Sequence, residues 1–249
     1  PVWLLTLVML LTACGTPSQP DQPDGTETWR EAYEETGAYL QAQTAPTVGS
    51  IGGEWAVIGL SRARLLSDET AQSYEQTVED YVKQAGSVRL HHAKSTENSR
   101  TILGLTAAGY NAANVAGVDL TAGLTDMAYL RAQGTNGPIW ALIALDCHGY
   151  DIPQCADGEE QTTREGLVAE ILSYQCSDGG WALMGDESDV DMTAMALTSL
   201  APYQEETDVK AAVDLSVRCP AGRWRLHELG RGQQRVLRTC LLYTSPSPR

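Results

Sequence analysis

Phenylalanine is absent from this chain, and aromatic residues together reach only 6% of its 249 positions. Basic residues are also scarce: 17 Lys and Arg stand against 32 Asp and Glu, giving a formal charge of -15 and a pI near 4.6. That balance argues against nucleic acid as a partner, because phosphates are neutralised by Lys and Arg. The apolar run from Val2 to Leu11 is too short to cross a bilayer as a helix. No run of alternating strand residues appears, and G-x-S-x-G, P-loop, H-E-x-x-H and thioester motifs are all missing. What is present is ordinary for a globular protein, 43% hydrophobic and 20% charged. The length suffices to bury a sizeable core in one large domain or two small ones.

The two ends read differently from the middle. PVWLLTLVMLLTACG suits the h-region of a signal peptide begun partway in, and Leu11-Thr12-Ala13-Cys14 resembles a bacterial lipobox. Residues 1–13 are then a partial lipoprotein signal, and Cys14 carries the lipid and anchors the exported protein at a membrane. Residues 14–44 form the lipidated start, a tether and a lead-in, with GTPSQPDQPDGTET expected to stay disordered. The alternative is a secretory peptide in which Cys14 is incidental. At the other end, residues 218–249 hold seven Arg, no Lys and a single acid, Glu228, after a first part that carries a net -21. CLLYTSPSPR resembles a translated sequencing adapter, and Arg218 to Thr239 reads as a frameshift that cuts off the helix pattern DVKAAVDLSV. The competing reading is a genuine basic tail for an anionic surface.

Between the ends the chain repeats. VIGLSRA (57–63), ILGLTAAGY (102–110), LIALDCHGY (142–150) and MALTSLAPY (195–203) align at offsets of 45, 40 and 53 residues. Each is apolar on most sides, as a helix buried among helices would be. Amphipathic stretches lie between them. Residues 67–84 place Tyr74, Val78, Tyr81 and Val82 on one stripe, and residues 162–175 do the same with Leu167, Ile171, Leu172 and Tyr174, opening on a capping box from Thr162 to Glu165. The expected fold is all-α: helical hairpins packed side by side over residues 45–217.

The turn YQCSDGGWALMG (174–185), with Gln175, Gly179, Gly180 and Trp181, resembles the Q-W repeat of squalene and other triterpene cyclases. AQGTNGPIW (132–140) resembles a degenerate copy, with Gln133, Gly137 and Trp140 in comparable order. The resemblance implies the α/α toroid that terpene cyclases share with protein prenyltransferase β subunits and cobalamin carriers, incomplete in this chain. It does not imply one activity, since a fold hosts many.

Asp189-Val190-Asp191-Met192-Thr193-Ala194 resembles the D-x-D-D acid motif of class II cyclases, with Asp191 as the acid and Asp189 its neighbour, but Met192 replaces the last carboxylate. Protonating an alkene demands an acid prepared by charged neighbours, and the aromatics such enzymes place around a cation are few here. The preferred reading of the same residues needs no chemistry: they are a helix start, Asp191 capping Met192 to Leu200 before Pro202. No metal site is expected: three consecutive helical residues, Asp146, Cys147 and His148, point about 100° apart and do not converge on one ion. His91 and His92 lie in a polar connection. Cys147 and Cys155 could pair in an exported protein, leaving Cys176 odd, or all three could be reduced packing residues. What remains is a cleft at the starts of the buried helices, presenting Glu54 and Trp55, Asn98, Ser99 and Arg100, Asn136 with Trp140, and Asp189 with Asp191. The leading expectation is a non-catalytic exported lipoprotein whose toroid binds a small molecule, glycan or peptide. The cobalamin carriers add a corrinoid by resemblance alone, and no cofactor is otherwise expected. A surface interaction module or spacer and a degenerate terpene cyclase or prenyltransferase-type enzyme are the alternatives.

Overall fold

Ser67 accepts from the Thr70 amide at 3.2 Å, Asp68 and Glu69 follow in the first turn, and Gly86 closes the helix in the left-handed region. These signals bound Asp68–Ala85, and its stripe of Tyr74, Val78 and Val82 is buried while Tyr81 is half-buried. A computed structural model describes residues 25–43, 47–49 and 53–218. Its α-helices are α1 (Gly25–Gln43), α2 (Glu54–Arg62), α3 (Asp68–Ala85), α4 (Ser95–Ala108), α5 (Met127–Arg131), α6 (Asn136–Asp146), α7 (Arg164–Ser173), α8 (Val190–Leu200) and α9 (Thr207–Arg218). Short 3-10 turns at Leu120–Leu124 and Ala201–Tyr203 join them. Among the described residues there are isolated β-bridges and no strands, so the fold is all-α. No described helix is long and apolar enough to cross a membrane. Residues 1–13, read from sequence as a signal, Cys14 and the tail from Cys219 onward lie outside the described residues.

Alternate helices pack on one another. α2 packs on α4, α4 on α6 and α6 on α8, while α3, α7 and α9 flank this row and α1 leans on α2. The four sequence repeats fall on α2, α4, α6 and α8, the helices of the row. Three of them end alike. The backbone N–H groups of Leu65, Tyr110 and Tyr150 donate to the carbonyls of Leu60, Leu105 and Leu145 at 2.8, 2.9 and 2.8 Å, across left-handed residues Arg64, Gly109 and Gly149. This is the Schellman closure, recurring at the register the repeats define.

The same register links neighbours. Tyr150 Oη shares a 2.8 Å hydrogen bond with Thr106 Oγ1 and accepts from the Ala112 amide at 3.2 Å. Tyr203 Oη donates to Asp146 Oδ2 at 2.8 Å, and Ser61 Oγ donates to the Ala107 carbonyl. Arg164 adds a brace by donating to Asp146 at 2.7 Å and to the carbonyls of Leu145 and Tyr150 that end α6. The core runs continuously through the row, from Val57 and Tyr74 to Leu200 and Val209.

Three boundaries differ from the sequence reading. α1 begins at Gly25, inside the segment expected to be a tether; the Tyr33 hydroxyl donates to the Ala63 carbonyl at 3.0 Å and fixes α1 against the end of α2. Thr163, not Thr162, caps α7, accepting from the Gly166 amide at 2.9 Å. Asp189, not Asp191, caps α8, accepting from the Met192 amide at 2.7 Å. In both of these caps the β-region backbone that an N-cap needs falls one or two residues from the side chain that sequence spacing favoured. Cys147 and Cys155 are not joined to each other: Cys147 Sγ donates to the Ala144 carbonyl and Cys155 lies against the Glu159 carbonyl.

Candidate functional site

The turn from Gln175 to Trp181 is a folded hydrogen-bonded unit. Gln175 Nε2 donates to the Gly179 carbonyl at 2.9 Å and to the Ala212 carbonyl in α9 at 2.8 Å, so one amide holds the turn and ties it to the next helix. Trp181 is fully buried, donates through Nε1 to the Ile171 carbonyl of α7 at 2.7 Å, and donates its backbone N–H to Thr193 Oγ1 of α8 at 2.9 Å. Gly179 has φ +92°, and a Cβ there would press on Leu215. A Cβ on Gly180 would overlap Ser188 and the Thr193 hydroxyl. Both glycines are therefore required by geometry. The turn is a structural staple joining α7, α8 and α9.

The second turn does not reproduce it. Gln133 Oε1 accepts from the Thr96 amide at 2.9 Å and the Ser95 hydroxyl at 3.0 Å, covering donors at the start of α4 rather than carbonyls. Gly137 is demanded by the Leu130 carbonyl, which a Cβ would overlap. Trp140 sits within α6, partly exposed, whereas Trp181 precedes α8 and is enclosed.

The residues expected at the helix starts divide into two groups. Asn98 is a buried strut: it accepts from the Leu90 amide and donates to the carbonyls of Val88 and Leu120. Ser99 bonds the Ser95 carbonyl within its own helix. Asp189 is the cap of α8, and Asp191 is exposed in the first turn, away from any prepared acid arrangement. In contrast, Trp55, Arg100 and Trp140 occupy one register in α2, α4 and α6, and the two indoles meet edge to face with centroids 5.3 Å apart and planes at 64°. α2 and α6 each pack along α4, so this contact reaches from one neighbour of α4 to the other.

Arg100 belongs to a charged and polar cluster. Arg100 is held by Glu54 at 3.4 Å and by Glu97, and Glu54 is fully buried and accepts from the Gly49 amide at 2.6 Å. Tyr74 is buried with its hydroxyl against Gly104; burial, then the charge of Glu54, pushes its pKa well above the usual phenol value. Tyr74 Oη, Thr101 Oγ1 and Asn136 Oδ1 are buried atoms without a hydrogen-bond partner, and Asn136 precedes Trp140 by one turn of α6. Buried polar atoms are normally paired, so each of these three stands out. Sequence reasoning named Trp55, Arg100, Asn136 and Trp140 but missed Glu97 and Tyr74. Tyr74 looked like one more apolar stripe residue, and its only sequence signal is Gly104, the small residue that admits its hydroxyl.

Other features are structural. Arg89 joins Asp126 at 3.1 Å and Glu159 at 2.6 Å and lies 4.5 Å from the Tyr129 ring centroid. His91 and His92 stack on each other at 4.4 Å. Among the described residues no three His, Cys, Asp or Glu side chains gather as metal ligands, and Asp146 is committed to Arg164 and Tyr203. Two open grooves lie elsewhere, one of about 430 Å³ between α7 and α9 and one of about 630 Å³ between α1 and the start of α3. No family model matches the chain, and neither a curated protein nor a solved structure does.

Proposed function

We propose that the described helices form an arc of an α/α toroid and that the face carrying Trp55, Arg100, Asn136 and Trp140 binds a ligand. Support for the arc comes from the row α2, α4, α6, α8, from Schellman ends recurring at the repeat register, and from the Q-W staple. The single observation that carries the binding reading is the partly exposed Trp55 and Trp140 pair, with Asn136, whose Oδ1 lacks a partner, one turn from Trp140. The protein on this reading is an exported lipoprotein, held at the membrane through Cys14, that captures a small molecule, glycan or peptide; a corrinoid enters by the resemblance to cobalamin carriers. The exposed Asp191 and the capping role of Asp189 support binding over cyclase chemistry.

The test uses the full chain. Cobalamin, methyl β-glucoside and a short peptide are titrated by calorimetry against wild type and Trp140→Ala. The proposal expects heat from at least one probe, lost in the variant; no heat from any of them contradicts it. For the anchor, metabolic labelling with palmitate is expected to mark the wild type and not Cys14→Ser, and equal labelling of both would remove the lipoprotein assignment.

A further inference from the structure

Helix α1 carries three aromatic residues in 19 positions, against 6% for the chain, and Trp29, Tyr33 and Tyr39 are 54%, 44% and 64% exposed. Its contact side is elsewhere. Gly37 is buried, a Cβ on it would run into the Leu65 side chain, and Gln41 one turn on is half-buried. Counted at about 100° per residue from Trp29, Gly37 and Gln41 lie near 80° and 120°, and the acids Glu31, Glu34 and Glu35 lie between about 140° and 240°. Tyr39, Ala32, Thr36, Trp29, Leu40 and Tyr33 fill a remaining sector about 120° wide, which holds no charge.

The residue types say what such a sector meets. Faces that pack helix on helix in this protein are aliphatic, as Val57, Leu60, Ile102, Leu105, Leu142 and Leu145 are. Trp and Tyr instead join an apolar ring to a polar edge, which suits a boundary that is oily on one side and wet on the other. The cations point to the same boundary. Arg89, Arg100, Arg131 and Arg164 are each held by carboxylates. Arg30, Arg62 and Arg64 are exposed and form no ion pair among the described residues. The Arg30 guanidinium lies 5.6 Å from the centroid of the Trp29 ring, and Arg62 and Arg64 flank Ala63, whose carbonyl accepts from the Tyr33 hydroxyl. Guanidinium groups left open beside aromatic rings are complementary to phosphate.

A membrane is also close on the lipoprotein reading above, on which this argument rests. Gly25 follows Cys14 by eleven residues, a span of at most about 40 Å when fully extended. We infer that the Trp29, Tyr33 and Tyr39 face of α1 lies in the headgroup layer of the phospholipid bilayer that holds the anchor, its rings at the boundary with the acyl chains and Arg30 and Arg62 on lipid phosphate. The helix is then a second, non-covalent hold, and because α1 leans on α2 it sets how the helix row stands on the membrane.

The experiment places the lipidated full chain in phosphatidylcholine vesicles that carry a photoactivatable diazirine lipid and maps the adducts by peptide mass spectrometry. Residues 29–40 are expected to carry adducts, and α4, α6 and α8 none. Trp29→Gln combined with Tyr39→Gln should lower the yield in this helix about tenfold, as loss of two interfacial anchors requires. Arg30→Gln combined with Arg62→Gln should lower it several-fold. Val88→Gln, at an exposed apolar residue elsewhere, should leave it unchanged, with the same far-UV circular dichroism throughout. Adducts confined to residues 1–24 in a chain that floats with the vesicles would overturn the α1 face while sparing the anchor. Undiminished α1 adducts in a chain that palmitate does not label would remove the anchor and keep the face. A dimer in sedimentation that the Trp29 and Tyr39 substitutions dissolve, without lipid adducts on α1, would assign the face to self-association and overturn the proposal.

Discussion

Replacing Tyr150 by Phe isolates one link between neighbouring members of the helix row. The ring is 6% exposed and keeps its packing in the variant, so only the hydroxyl is lost. That hydroxyl has two partners with unequal alternatives. Thr106 Oγ1 also bonds the Ile102 carbonyl at 2.8 Å and keeps that partner. The Ala112 amide, on a residue with no exposure, loses its acceptor and is left buried and unpaired. Orphaning a buried N–H costs about 1–3 kcal/mol, so Tyr150→Phe should lose about 2 kcal/mol. For a folded unit of this size that lowers the midpoint by about 4–8 °C. Thermal melts by far-UV circular dichroism, supported by urea titration, read the change. Tyr110→Phe is the internal control: Tyr110 occupies the same register, makes no such bond to a buried amide and should shift by less than about 0.5 kcal/mol. A Tyr150→Phe midpoint within 1 °C of wild type, or equal losses in the two variants, would refute the reasoning.

Three further outcomes follow from the same structure. Arg64 holds φ +60° where Gly109 and Gly149 stand in the equivalent helix ends, so Arg64→Gly should stabilise by about 0.5–1 kcal/mol, the relief of left-handed strain less the glycine entropy, and a lowered melting midpoint would contradict it. Asp189→Ala should cost about 1 kcal/mol through the lost cap of α8, while Asp191→Asn changes stability by less than about 0.5 kcal/mol; the reverse order in urea titrations would restore Asp191 as the cap. The hydrogen bond from Arg131 holds Glu170 below the usual carboxylate range, so its folded pKa lies under its unfolded value. Its contribution is therefore present at neutral pH and lost as pH falls through the folded pKa, and Glu170→Gln should flatten the acid side of a stability profile; an unchanged acid limb would exclude this pair as a contributor.

The helix row was legible because burial writes itself into residue type. VIGLSRA, ILGLTAAGY, LIALDCHGY and MALTSLAPY are apolar on nearly every side, and only a helix enclosed by others can keep such a surface. Two of the four, ILGLTAAGY and LIALDCHGY, also close on a Gly-Tyr pair, and their Gly109 and Gly149 supply the left-handed residue of the helix end. Helix starts were less legible: Thr162 and Thr163, or Asp189 and Asp191, are equivalent as residue types, and backbone dihedrals choose between them. Trp140 was misread as a Q-W tryptophan because the letters Gln133, Gly137 and Trp140 do not reveal whether the Gln meets helix N–H groups or carbonyls. At the site, the aromatic and charged members were visible in sequence. The unpartnered oxygens of Tyr74, Thr101 and Asn136 were not, because satisfaction of a buried polar atom is a property of the packed structure alone.

Trp55 and Trp140 meet from opposite neighbours of α4, a contact that the proposed arc and the proposed binding face both require. Near-ultraviolet circular dichroism of wild type, Trp55→Phe, Trp140→Phe and the double variant measures that contact directly. A coupled pair predicts that either substitution abolishes the same exciton feature and that the difference spectra are far from additive. Two independent difference spectra that sum to that of the double variant would contradict the contact, and with it the binding face.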